Sequence, residues 1–68
     1  MSVATQVKGT LASLKGIEAT LSALALEATD REVSNDYHQA ALKTRTVITE
    51  VEKRVSFIER EEPQYKGK

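Results

Sequence analysis

Large apolar residues recur at intervals of three or four along the first part of the chain. They are Val3, Val7, Leu11, Leu14, Ile17, Leu21 and Leu24. Such intervals place side chains on one stripe of an α-helix, whereas a half-buried strand would alternate at every second residue. Gly9 and Gly16 each weaken a helix interior by about 1 kcal/mol relative to alanine, but they do not interrupt the stripe. The pattern predicts one amphipathic helix over about residues 3–27.

A short polar segment then breaks the apolar pattern. The sequence Thr-Asp-Arg-Glu at 29–32 matches a capping box. In that motif Thr29 accepts a hydrogen bond from the backbone amide of Glu32, and the Glu32 carboxylate reaches back to the amide of Thr29. Asp30 in the first turn also suits the positive end of the helix dipole. We therefore predict a tight turn over about 28–30, with Thr29 as the cap of a second helix.

The rest of the chain shows a second stripe with the same spacing. Its members are Val33, Tyr37, Ala40, Ala41, Thr44, Val47, Ile48, Val51, Val55 and Ile58. Glu50 and Arg54 stand four residues apart, a spacing that favours an ion pair on a helix surface. Pro63 is expected to stop the helix, because proline lacks the amide proton and disfavours helical geometry in the preceding residue. We predict a helix over about 31–61 and a frayed tail over 63–68.

Two long helices joined by a tight turn define the predicted fold class, which is all-α. We expect residues 1–68 to form a single antiparallel helical hairpin. A turn centred near residue 29 makes facing positions sum to roughly 58, so that Leu21 lies opposite Tyr37.

The size of the chain argues that one hairpin is not the complete folded unit. A chain of 68 residues is near the lower limit for folding alone, and without cysteine it has no disulfide or thiolate metal site to stabilise it. The second helix also extends past the first, which leaves Phe57 and Ile58 with little of their own chain to contact. We therefore expect a homo-oligomer, most simply a dimeric four-helix bundle. A tail that folds back from Pro63, with Tyr65 as cover, is the competing explanation. The predicted interface residues are Val7, Leu11, Leu14, Leu21, Val51, Val55, Phe57 and Ile58.

The charge balance narrows the classes of partner. Ten basic and ten acidic residues give a net charge of zero, which disfavours nucleic-acid binding through Lys43, Arg45, Lys53 and Arg54. The longest uncharged stretch, Ala19 to Leu26, is far shorter than the ~20 residues of a membrane span. The opening MSVATQVKGT has no cationic start followed by an apolar run. We expect a cytoplasmic protein that binds no nucleic acid and does not insert directly into a membrane.

Two titratable side chains were considered as candidate sites. His38 is the sole histidine, and Asn35 replaces the glutamate of a Glu-x-x-His metal motif, so a surface position is expected. Glu18 lies between Leu14 and Leu21 in the apolar repeat. A buried carboxylate there could act as an acid or base, or could pair with a cation and set the register. Because Ile17 shares the same face, we expect Glu18 at its edge, pointing outward.

Two further groups of residues lack the geometry of a catalytic or metal site. Glu59, Glu61 and Glu62 surround Arg60 at an acidic end, which we interpret as solvated and as a candidate docking surface. A row of small residues could permit close helix packing or could be an ordinary solvent face. That row comprises Gly9, Ala12, Gly16, Ala19 and Ala23. No phosphate loop or nucleophilic triad is present, and we predict no catalytic, cofactor-binding or metal-ligating residue.

The two ends of the chain carry a family resemblance. The opening VATQVKGTLASLKG and the closing EREEPQYKGK together resemble the family catalogued as domain of unknown function 1657, short proteins of spore-forming bacteria. The resemblance covers nearly the whole chain and is looser from Ile17 to about Thr49. Similar domains occur beside or fused to a membrane-protein domain in sporulating bacteria. The resemblance therefore implies a spore-related accessory role, a forespore or spore location and a membrane-associated spore protein as a partner, with no catalytic residue to carry over.

These observations lead to two functional hypotheses. The first is a non-enzymatic structural or protein-interaction module that associates with itself and is associated with spores. The alternative is a helical bundle that binds a small ligand or metal through His38, Glu18 or the acidic end.

Overall fold

A computed structural model describes the backbone of residues 3–66 and the side chains of residues 3–61. Helix α1 spans Val3–Glu27 and helix α2 spans Arg31–Lys66, and residues 28–30 join them. The described residues contain no strand, and α2 packs antiparallel to α1 in a molecule of 54 × 17 × 9 Å. The predicted all-α hairpin is confirmed, and the bounds of α1 and of the turn agree with the sequence pattern.

The cap of α2 is Asp30, so the capping box predicted for Thr29 is wrong. The Asp30 carboxylate Oδ1 accepts hydrogen bonds from the amides of Glu32 at 2.8 Å and Val33 at 3.1 Å. Its carbonyl also accepts the first intrahelical bond, from the amide of Ser34 at 2.9 Å. Because α2 begins one residue later than a Thr29 cap requires, the carboxylate of Asp30 is the group that reaches the free amides of the first turn.

The first turn of α2 also closes the end of α1. The Ser34 hydroxyl donates to the carbonyl of Ala25 at 2.6 Å, and the amide of Ala28 donates to the carbonyl of Leu24 at 3.0 Å. The last four carbonyls of a helix have no partner within it. Two of those in α1 are thus satisfied by Ala28 and Ser34, at the point where the chain reverses.

Helix α2 continues beyond its predicted end near residue 61. It runs through Pro63 to Lys66. Proline removes one backbone hydrogen bond and crowds the carbonyl four residues earlier, which is unfavourable inside a helix, although its restricted φ is helical. The backbone of residues 63–66 continues α2, and therefore does not fold back over the hairpin as the competing explanation required. The remainder of the predicted frayed tail, and the side chain of Tyr65, lie outside what the structure describes.

The contact between the helices follows a strict seven-residue repeat. Ala41, Ile48 and Val55 are buried at seven-residue intervals on α2, and Ala4 is buried on α1, while Ile48 is completely inaccessible. Half-buried residues fill the intermediate positions. We call the resulting rows the seam; they are Ala4, Val7, Leu11, Leu14, Glu18, Leu21, Ala25 and Ala28 on α1, and Ser34, Tyr37, Ala41, Thr44, Ile48, Val51, Val55 and Ile58 on α2. This alternation of three and four is the pattern of an antiparallel coiled coil.

The seam is narrower than the apolar stripes and lies to one side of them. Ile17 is 50% exposed although it belongs to the predicted stripe, and its neighbour Glu18 occupies the seam instead. Val3, Val33 and Val47 are also exposed. A single partner helix covers only the positions that face it directly, whereas the stripes are wide enough to contact more than one neighbour. The placement predicted for Ile17 and Glu18 is therefore reversed.

The row of small residues on α1 takes no part in the contact between the two helices. A methyl group added at Gly9 or Gly16 would have no neighbouring atom within 4 Å. Close packing of this row against α2 is not observed, and within the hairpin it is a solvent face.

Candidate interaction surface

Ion pairs between the helices line one flank of the seam. Lys8 pairs with Glu59, and Lys15 Nζ lies 3.3 Å from Glu52 Oε2. All four residues directly follow a seam position, so they lie on the same side of the hairpin. Together with Glu18 and Arg45 they form what we call the ion-paired face. Their side chains are about half exposed, so each of the two lysine pairs contributes on the order of 1 kcal/mol or less.

The pair of Glu18 and Arg45 has the best geometry of this face. Arg45 Nε donates to Glu18 Oε2 at 3.0 Å, and Nη2 donates to Oε1 at 2.6 Å. The hydrogen bond and the charge of Glu18 raise the pKa of the Arg45 guanidinium above its ordinary value. The Glu18 side chain is only 22% exposed, and this bidentate partner explains how a carboxylate is tolerated in the seam. Arg45, one of the basic residues considered for nucleic-acid contact, is therefore engaged within the chain.

The ion pairs also show how side-chain direction affects the register. The residue numbers of the partners sum to 67 for both lysine pairs and to 63 for Glu18 with Arg45, whereas the turn predicts roughly 58. Helical side chains lean toward the N-terminus of their own helix. Those of α1 therefore lean away from the turn and those of α2 lean toward it, so long side chains meet partners further along α2. The short Ser34 hydroxyl contacts Ala25, a sum of 59, and agrees with the backbone register.

The opposite flank of the seam is mostly apolar, and its side chains are exposed or half-buried. The residues that directly precede every second seam position lie on this side. Five of them are large and apolar, while Thr10, Ala40 and Arg54 occupy the remaining equivalent positions. Phe57, which precedes Ile58, stands next to them on the outside of α2. We call this surface the apolar face; it consists of Val3, Ile17, Leu24, Val33, Val47 and Phe57. Leu24 is half-buried, and the other five side chains are between 43% and 54% exposed. Of the large apolar residues exposed in the described part of the chain, Leu26 and Leu42 lie outside this face.

Helix α1 contributes an uncharged surface to the apolar face. Its charged residues are Lys8, Lys15, Glu18 and Glu27, of which the first three pair across the ion-paired face and the last stands at the helix end. Two shallow concavities follow this side of the hairpin. One is lined by Ser13, Gly16, Ile17, Thr20 and Leu21. The other, at the turn, is lined by Leu24, Val33 and Tyr37 together with the charged Glu27 and Asp30. The surface thus offers hollows as well as exposed apolar side chains.

The eight predicted interface residues divide between these regions. Seven of them belong to the seam, where the other helix of the same chain covers them wholly or in part. Those seven are Val7, Leu11, Leu14, Leu21, Val51, Val55 and Ile58. Phe57 is 47% exposed on the apolar face, and the Arg60 guanidinium carbon lies 5.9 Å from the centre of its ring. Ile17, Val33 and Val47 belong to the helix stripes predicted from the sequence, but they are not among the predicted interface residues. They fall outside the seven-residue repeat of the seam, and that repeat is the sequence signal that distinguishes them from the seam residues.

The other candidate residues, His38 and the acidic end, do not come together to form a binding site. His38 is exposed, Glu59 pairs with Lys8, and the side chain of Glu62 lies outside the described residues. Among the side chains that the structure describes, no group of three acidic, histidine or cysteine residues could hold a metal ion. The ion pair predicted between Glu50 and Arg54 is replaced by one from Glu50 to Lys53, three residues on, at 3.7 Å.

Comparison with known proteins identifies a family but no relative of known activity. The family model described as "Protein of unknown function (DUF1657)" matches residues 7–55. The matched range includes most of both helices, the turn and the greater part of the seam. Neither the curated proteins nor the solved structures contain a match. Within the described residues, neither helix is both long and apolar enough to cross a membrane.

Proposed function

The chain belongs to the DUF1657 family, and we propose that it is a non-enzymatic protein-interaction module whose apolar face docks onto another protein surface. The observation that carries this proposal is the row of half-exposed apolar side chains along one flank of the seam, opposite a flank that is neutralised within the chain. Apolar side chains exposed together on one surface mark binding sites more often than singly exposed ones do.

The small core of the hairpin supports the same function. Among the described side chains, Ala4, Ala41, Ile48 and Val55 are the buried apolar residues, and two of these are alanines. Burying a large aliphatic side chain stabilises a fold by about 1.5–3 kcal/mol. Covering Ile17 and Val47 with a partner would therefore add substantially to a core of this size. Folding and binding would then depend on the same residues.

The biological setting forms part of the proposal and follows from the family resemblance. We place the module in spore-forming bacteria, in the cytoplasm, forespore or spore, as an accessory of a membrane-associated protein. The hairpin would serve this role by contact with protein rather than by inserting into the bilayer, consistent with helices that are too polar to span a membrane.

Affinity capture from the native cells, with matched variants as bait, tests the function. Ile17→Glu places a charge in the apolar face, whereas Gln39→Glu places the same charge on the exposed outer side of α2. We expect wild type and Gln39→Glu to retain the same protein in stoichiometric amount, either a second copy of the chain or another protein. We expect Ile17→Glu to lose it, because docking would desolvate an unpaired charge. Equal recovery with both variants, or no stoichiometric protein with wild type, would contradict the proposal.

A further inference from the structure

We propose that the occupant of the apolar face is a second copy of this chain, related to the first by a two-fold axis. The two faces then pack against each other and four helices enclose the exposed apolar residues. This inference rests on the proposed function and names its partner. It places the contact on the apolar face and not on the seam residues, which the hairpin already uses for itself.

The charge distribution suits an interface with an identical surface. In a two-fold dimer the same patch is present on both sides, so any uncompensated charge would be brought close to its own copy. On α1 the apolar face has no charged residue between Val3 and Leu24, because the lysines and Glu18 of that helix pair on the opposite flank. On α2 the exposed Arg54 lies on this flank, near the end of the hairpin distant from the turn. The chain as a whole is neutral, so two copies approach without net repulsion.

The area of the face is sufficient for a specific dimer. The hairpin measures 54 Å by 17 Å across its broad side, so roughly 900 Å² is the upper limit of the area that this side can present. A standard protein interface buries about 800 Å² on each partner. A layer of two helices against a second such layer is also the arrangement of a four-helix bundle.

The composition across the face indicates that α1 lies near the centre of this contact. Its side of the face is uncharged, and the concavity around Gly16 and Ile17 can receive side chains from the second copy. On α2 the outer row that contains Phe57 otherwise carries the exposed charged residues Asp36, Lys43 and Glu50, and Arg54 is exposed beside it. These charges would form the solvated rim that surrounds the apolar centre of most interfaces.

Sedimentation equilibrium over a wide concentration range tests the inference. We expect wild type and Gln39→Glu to form dimers with the same dissociation constant. For Ile17→Glu we expect the constant to rise by at least about tenfold, while circular dichroism still reports a helical chain. A wild-type chain that stays a folded monomer at all concentrations, or equal constants for the two variants, would overturn the proposal.

Cross-linking locates the contact without a destabilising substitution. Because the chain contains no cysteine, a single introduced thiol reports on one position only. Ser13→Cys lies beside Gly16 in the concavity of α1, and Gln39→Cys lies on the exposed outer side of α2. We expect a short bis-maleimide to join two copies of Ser13→Cys and to leave Gln39→Cys monomeric. The opposite result, or equal yields, would exclude this face as the contact between copies.

The two proposals can fail separately. If the chain is a monomer in the centrifuge but captures a different protein through Ile17, the interaction module stands and self-association is wrong. If the chain is a monomer and the capture experiment is also negative, both are wrong.

Discussion

The two flanks of the seam are built from the same helices but are completed in different ways. On the ion-paired face, lysine or arginine side chains meet glutamates across the hairpin, and both partners belong to the same chain. On the other flank most of the corresponding positions carry valine, isoleucine or leucine, with Arg54 as the charged exception, and the hairpin leaves most of these apolar side chains about half exposed. A long charged side chain can reach across a flank and be satisfied there by one opposite charge, while its head stays in water.

An apolar side chain cannot be stabilised by a single opposite charge in this manner. It gains free energy only when another surface removes water from it. The ion-paired face is therefore complete within a single hairpin, whereas the apolar face would be covered only by the partner that we propose. The asymmetry between the two flanks, more than the content of the core, is the basis of the proposed function.

We expect the greatest loss of stability from a substitution in the seam, and two adjacent residues allow the seam to be compared with the apolar face. Ile48 is inaccessible and Val47 is 48% exposed. We expect Ile48→Ala to destabilise the hairpin by about 2–5 kcal/mol, and Val47→Ala by about 1 kcal/mol or less at low concentration. Urea denaturation followed by circular dichroism measures both. If Val47→Ala proved as costly as Ile48→Ala in the dilute chain, the apolar face would already be covered within the monomer.

The next largest change in stability is expected at the turn, which joins the two helices and therefore supports both flanks alike. We expect Asp30→Ala to destabilise the hairpin by about 1 kcal/mol, because the amides of Glu32 and Val33 lose their acceptor. Thr29→Ala is the matched control, and its effect should stay within about 0.5 kcal/mol. The denaturation midpoints of the two variants distinguish the caps, and a larger loss at Thr29 would restore the capping box predicted from the sequence.

A stabilising substitution tests the openness of the outer side of α1. Gly16→Ala should stabilise the dilute hairpin by about 1 kcal/mol, since alanine restricts the unfolded chain and its methyl group meets no neighbour. Gly9→Ala should behave alike for the same reason. Thermal unfolding at low concentration measures the gain. A loss of stability at either glycine would mean that another part of the chain approaches that position closely.

The smallest effect is expected on the ion-paired face. Lys15→Gln should cost less than about 1 kcal/mol, and the difference from wild type should shrink as salt is added. A double-mutant cycle between Glu18 and Arg45 should give a larger coupling than one between Lys15 and Glu52, because the former pair is bidentate. Equal couplings would show that the partly buried position of Glu18 adds nothing to its ion pair.

The spacing of apolar residues was enough to predict both helices and the turn. The bounds of α1 follow from the stripe that starts at Val3 and from the polar residues after Glu27. The cap could not be assigned as reliably, because Thr29 and Asp30 are both favourable capping residues and a shift of one residue decides between them. The predicted end of α2 was wrong because proline disfavours helix without forbidding it, since its restricted φ is itself helical.

The periodicity of the apolar residues is visible in the sequence, and it is sufficient to predict the all-α hairpin. Apolar residues at three- and four-residue intervals are compatible with helices and poorly compatible with strands, whatever the chain later packs against. The neutral charge and the absence of cysteine were likewise properties of the chain alone. They favoured stabilisation by a partner over stabilisation by disulfides.

Which part of each wide stripe forms the seam depends on how the two helices pack against each other. Ile17 and Glu18 are neighbours, and either side could have faced α2 from the spacing alone. Arg45 stands where its guanidinium can bind the carboxylate of Glu18, so the charged residue occupies the seam and Ile17 is left on the outside. That choice depends on groups 27 residues apart in the chain, and the local periodicity of either helix contains no information about their meeting.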